Sequence, residues 1–408
     1  MNYKTHTLSN GLRLIYLPLY SDVTYCGMVI NTGSRDEQKD EEGMAHFIEH
    51  GLFKGTKKRR ATHIINRLEV VGGELNAYTS KEETVVYAVV LNPYLERATE
   101  LIGDLVFHSV FPQKELDKEK EVIIDEISSY NDSPSELIYD DFEELLFQSH
   151  SLGHNILGKI DTLSNFHHNN VLDFVKRHYQ PAQMVFFVVG ETRFDMLVRW
   201  AEKYFIPEFL NFDGIQRIAP ATYQPSKKVV DKNTHQAHVI IGNRAYDMNH
   251  ASRLGLYLLN NIVGGPGMNS LLNLNLREKR GLVYTVESTF QPFTDTGLWT
   301  VYFGCDIADV NKIEKLIDSE LMKLQDKPFT EAELQKYKMQ LTGQMAISWD
   351  NKENLAMGVG KSFLRYGKVD ELDFIKKELE SIQPADIQRI AQDIFRKDQL
   401  STLQYIKA

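Results

Sequence analysis

The chain has 408 residues, 42% of them hydrophobic and 25% charged, with a formal net charge of −10. That length calls for two or more domains, and the acidic balance excludes a general nucleic-acid binder while leaving room for a local acidic chamber that draws in basic peptides. No apolar run approaches the ~18–20 residues needed to span a membrane, and the only two cysteines, Cys26 and Cys305, fall in strand-like segments of different halves, so no disulfide framework is expected.

The stretch from Met1 to Thr7 enters a strand pattern without a charged-then-apolar leader, and the expected location is cytoplasmic. Asn10-Gly11 favours a tight hairpin turn before a strand through Tyr16, and Val23 to Thr32 reads as a second strand. A polar loop from Arg35 to Glu42 then leads to His46-Phe47-Ile48-Glu49-His50. Four positions apart on a helix, His46 and His50 project from one face and can chelate zinc. Glu49 sits at the edge of that face, within reach of a water held there. The bland alternative is an amphipathic helix with histidines on its polar side, and a third ligand is needed to decide.

Beyond the pentad come Phe53 and the basic run Lys57-Lys58-Arg59-Arg60, read as a solvated loop. Thr62 to Val71 predicts a short helix with Thr62 as N-cap and Gly72-Gly73 as its stop. Two strands follow, Glu74 to Ser80 and Glu82 to Val90, then a helix from Leu95 to Val110. In the next helix, Glu115 to Tyr130, Glu119 and Glu126 lie two turns apart on one face with Val122, Ile123 and Ile127, where carboxylates are costly unless paired or bound to metal. His150, His154, His167 and His168 lie in a turn-rich region and suit surface or capping roles.

The first half closes with a helix from Asn169 to His178 and a strand from Val185 to Gly190. Residues 1–210 are assigned to one domain, the proline-bearing segment 211–226 to a linker, and 227–408 to a second domain. In the second half, the stretch from Phe329 to Lys338 echoes that from Phe111 to Lys120, with Tyr337 and Gln344 replacing Glu119 and Glu126. Leu254 to Val263 takes the place of the pentad helix without its histidines, so a duplication with one metal-competent copy is expected.

With H-x-x-E-H followed by an E-x6-E pair whose last glutamate, Glu126, lies 76 positions after His50, the chain resembles the pitrilysin-type zinc peptidases, in the branch similar to mitochondrial processing peptidase subunits. The resemblance implies an α+β fold of two homologous domains, each a mostly antiparallel sheet with helices packed on one face. It implies one zinc ion per chain held by His46, His50 and Glu126, with Glu49 as general base and Glu119 supporting the site. It also implies that Asn76 and Ala77 lie on an edge strand that pairs with peptide substrate, that Phe53 lines the pocket beyond the scissile bond, and that Arg277 and Tyr284 reach substrate from the second domain. The expected activity is hydrolysis of oligopeptides or unfolded segments in a closed chamber formed by a homodimer. The alternative is a non-catalytic or hetero-pairing subunit that serves as a substrate-binding scaffold.

Overall fold

The computed structural model describes every residue except 1, 208, 209, 211–215 and 408. It divides into two compact units, Met1–Ser128 with His154–Arg217 and Ile347–Glu371, and Ser129–Gly153 with Ile218–Ala346 and Leu372–Ala408. Of the expected linker 211–226, residues 211–215 lie outside the described residues, and 216–226 form neither helix nor strand.

In the first unit, β1 (Lys4–Thr7), β2 (Arg13–Pro18), β3 (Val23–Ile30), β4 (Glu74–Thr79), β5 (Thr84–Leu91) and β6 (Met184–Gly190) form a sheet in the order β1-β2-β6-β3-β5-β4. Every pair is antiparallel except β2 with β6. Gly11, at φ +88°, makes the turn into β2 that the Asn-Gly pair predicts. The second sheet contains β7 (Lys227–Asp231), β8 (Ala237–Ala245), β9 (Val283–Pro292), β10 (Gly297–Cys305) and β11 (Ser401–Ile406) in the order β7-β11-β8-β10-β9, with β7 and β11 parallel. Leaving out β1, the two orders are the same, which is the structural trace of the duplication.

The helices, in chain order, begin with α1 (Met44–Leu52), α2 (Ala61–Glu69), α3 (Leu95–His108), α4 (Gln113–Asn131) and α5 (Pro134–Leu146). Next come α6 (Ile160–Ser164), α7 (His168–His178), α8 (Phe194–Tyr204), α9 (Arg253–Gly264) and α10 (Val310–Asp326). The last four are α11 (Glu331–Asp350), α12 (Lys352–Tyr366), α13 (Leu372–Ser381) and α14 (Pro384–Ile394). Among the described residues no helix is long and apolar enough to cross a membrane.

Strand residues alternate between two cores, as the pleat requires. On β6, Met184, Phe186 and Val188 face the core beneath α1 and α3, while Val185, Phe187 and Val189 face the opposite side. That opposite side is covered by α12, through Ala356, Val359 and Phe363. A Cβ on Gly360 would come within 2.5 Å of the Phe187 ring, so glycine lets this helix lie close to the sheet. The second unit mirrors this: α5 packs Ile138, Phe142 and Leu146 on the face of its sheet that carries Ile240, Tyr302 and Leu403. The expected helical layer therefore lies on one face, and each second face takes one helix from the other half of the sequence.

Two local expectations change. Arg60, not Thr62, precedes the first turn of α2. Val122 is 49% exposed, and the buried face of α4 runs through Leu116, Glu119, Ile123 and Ile127. Cys26 and Cys305 are buried and unpaired in β3 and β10, as expected.

Candidate metal centre

Helix α1 is short, and its placement depends on two local devices. Gly43 opens it at φ +95°, and the buried Glu37 carboxylate accepts the Gly43 and Ala45 N–H groups at 2.9 and 2.8 Å, satisfying donors that a helix start leaves free. Met44, Ala45, Phe47, Ile48 and Leu52 are fully buried, which turns His46, Glu49 and His50 toward the remaining face. At Gly51 a Cβ would sit 2.8 Å from the Phe111 ring, so the missing side chain sets how closely the segment leading into α4 approaches α1.

The structure brings His46, His50 and Glu126 together, with one ligand atom from each within 4.8 Å of the others. Glu126 Oε2 lies 3.9 Å from His46 Nε2 and 3.8 Å from His50 Nε2. Donor atoms around a tetrahedral zinc lie roughly 3.3 Å apart, so Glu126 must close by about half an ångström on each imidazole and no pair in the cluster by more than about 1.5 Å, within the reach of small side-chain rotations. The His50 ring is oriented from behind: its Nδ1 lies 3.1 Å from Glu119 Oε2, and Lys54 Nζ is 2.6 Å from the other Glu119 oxygen. This bond directs the Nε2 lone pair toward Glu126. Burial, reinforced by the neighbouring His50, pushes the His46 imidazole down to about 4, so it is neutral at physiological pH, the form that binds metal. The two-nitrogen, one-carboxylate donor set, neutral imidazole and carboxylate-held ring all fit zinc.

Glu49 is half-buried at the rim of the cluster. Its carboxyl is raised above the usual range because burial disfavours the charged form, and Thr79 and His50 only partly offset this. Thr79 ends β4, which among the described residues is an edge strand paired only with β5 and packed beside α1. Asn76, exposed, and Ala77, half-buried, lie along that strand. Phe53 is half-buried against the core beneath the helix. Arg277 and Tyr284 belong to the second unit, and both are exposed. Arg277 lies in a π-helical turn, and Tyr284, on β9, donates its hydroxyl to Asp306 at 2.9 Å. Sequence reasoning missed Glu37, which caps α1 across an irregular loop, and Lys54 and Thr79, whose partners Glu119 and Glu49 are distant in the chain; none of the three carries a spacing signal.

Residues 18–159 match the model of Insulinase (Peptidase family M16), and residues 165–341 match that of the Peptidase M16 inactive domain. A Bacillus subtilis protein named as an uncharacterized zinc protease is 32% identical over 397 residues, spanning 97% of this chain and 96% of its own. One from Streptomyces coelicolor, named likewise, is 33% identical over 411 residues, covering 98% of this chain and 89% of its own. Among solved structures, a protease from Helicobacter pylori aligns with a TM-score of 0.91 at 23% identity, covering 100% of this chain and 99% of that one. A peptidase M16 inactive domain from Pseudomonas fluorescens also scores 0.91, at 18% identity, covering 100% of this chain and 98% of that one.

Proposed function

The chain belongs to peptidase family M16, and from that premise we propose that it is a zinc-dependent endopeptidase acting on oligopeptides or unfolded segments. The observation that carries this reading is the convergence of His46, His50 and Glu126 beside a separate half-buried carboxylate, Glu49. His46, His50 and Glu126 would hold one ion per chain. When bound, zinc supplies a Lewis acid that acidifies water and polarises a carbonyl oxygen. Glu49 takes the proton from the attacking water and delivers it to the leaving amine, a cycle favoured by a carboxyl whose proton affinity is already raised. Glu119, anchored by Lys54, keeps the His50 ring fixed and is a positioning residue. Along β4, the free edge at Asn76 and Ala77 offers main-chain groups to an extended peptide. Phe53 is assigned a neighbouring apolar subsite. On the sequence resemblance, a homodimer is proposed as the active form.

The test is metal-dependent proteolysis. Purified protein is expected to carry about one zinc per chain and to cleave quenched oligopeptides, with both lost on chelation and restored by zinc. Undiminished cleavage by metal-free protein would overturn the reading.

Arg277 and Tyr284 are proposed as substrate contacts that stabilise the developing oxyanion through charge-assisted and O–H hydrogen bonds. Arg277→Ala is expected to retain zinc and lose about 100-fold in kcat. Unchanged kinetics would remove Arg277 from the site.

A further inference from the structure

Residues 80–83 join β4 to β5, and three of the four carry charges that are almost completely buried: Lys81, Glu82 and Glu83 are 3%, 4% and 2% exposed. A hairpin turn ordinarily leaves such side chains in water, because an unpaired buried charge is costly. Here each is committed to a different element. Lys81 Nζ donates to the His154 carbonyl at 2.6 Å. Glu82 accepts from Arg35 at 2.5 Å, and the Arg217 guanidinium lies 3.8 Å away. Glu83 is gripped on both oxygens by α12, with Lys361 Nζ at 2.6 Å and Arg365 Nη2 at 2.8 Å.

The backbone of the turn is tied as well. Just upstream of α1, the Ser34 and Arg35 N–H groups donate to the Ser80 and Lys81 carbonyls at 3.1 and 2.8 Å. On the strand itself, Lys361 Nζ lies 4.9 Å from the centre of the Tyr78 ring, next to Thr79. An edge strand with a single paired neighbour is the part of a sheet most prone to local opening. This one is clamped at the end nearest Glu49, by a helix that comes from the C-terminal half of the sequence.

We propose that Lys361 and Arg365, acting through Glu83, are positioning residues that fix β4 beside α1, so that a peptide pairing along Asn76 and Ala77 is held in register with Glu49. This rests on the peptidase reading and adds to it a control on substrate binding far from the metal. The Glu83 carboxylate is the joint: one oxygen meets each cation, while Lys81 and Glu82 of the same turn are held by the His154 carbonyl and by Arg35. Losing one cation leaves a buried charge half-compensated, and the turn relaxes outward to rehydrate it.

Zinc-loaded wild type, Lys361→Met, Glu83→Gln and the conservative Lys361→Arg are compared by metal content, amide hydrogen exchange and peptide hydrolysis. Lys361→Met and Glu83→Gln are expected to keep the metal, to speed exchange across residues 75–79 by about tenfold relative to β10, and to raise KM about fivefold with a smaller change in kcat. Lys361→Arg is expected to restore both. Unchanged exchange at residues 75–79 in both disruptive variants overturns the proposal, as does faster exchange with an unaltered KM. If wild type hydrolyses no peptide, the peptidase reading fails instead, and the clamp on β4 stands or falls on exchange alone.

Discussion

Glu49→Gln is expected to keep its zinc and to lose about three orders of magnitude in kcat on oligopeptides, within the range that a positioned general base supplies. Glutamine has nearly the same shape and can accept a hydrogen bond, but it cannot take a proton from water and return it to an amine. The fold is expected to tolerate the change. Glu49 is half-buried and its charged form is disfavoured there by desolvation and by Glu126 nearby, so a neutral amide relieves a cost and adds no cavity. The thermal midpoint is therefore expected to stay level or rise. Retained cleavage would reject Glu49 as the base.

Glu126→Gln separates metal binding from folding. The Glu126 side chain is 44% exposed, and its close partners are the two imidazoles, at 3.8 and 3.9 Å. Little of the fold leans on it, so far-ultraviolet circular dichroism and unfolding of the metal-free protein are expected to be those of wild type. Zinc affinity is expected to fall at least ~100-fold, because substitutions of groups that merely support a ligand already cost 10–100-fold. Competition titration against a chromogenic chelator reads this directly. An affinity within a factor of three of wild type would exclude Glu126 from the ligand set.

What could be read in advance was what depends on spacing along one element. The i, i+4 histidines and the two glutamates two turns apart describe single helices, and helical geometry converts such spacing into a shared face without knowledge of the fold. The strands behaved similarly: the segments holding Cys26 and Cys305 read as strands from the sequence, and both cysteines lie buried in β3 and β10. Val122 fails because it lies at the margin of the α4 stripe, where apolarity does not settle exposure. Sheet order, the pairing of Glu83 with Lys361 and the capping of α1 by Glu37 bring together residues that no local period connects. The same holds for the two exchanged helices: an amphipathic helix shows that it has a face to bury and does not name the surface that receives it.

That exchange bears on how the polypeptide acquires its shape during synthesis. When the ribosome has delivered residue 210, Ile15, Leu17, Val29, Val185, Phe187 and Val189 already belong to a nearly finished sheet, yet the helix that shields them is still some 140 codons away. A nascent chain at that stage carries a greasy, β-rich face with nothing of its own to cover it, the kind of surface that recruits chaperones or invites aggregation. Maturation of the metal-bearing half thus waits for the C-terminal half to be translated, and a premature stop between the two leaves an intermediate that cannot seal itself.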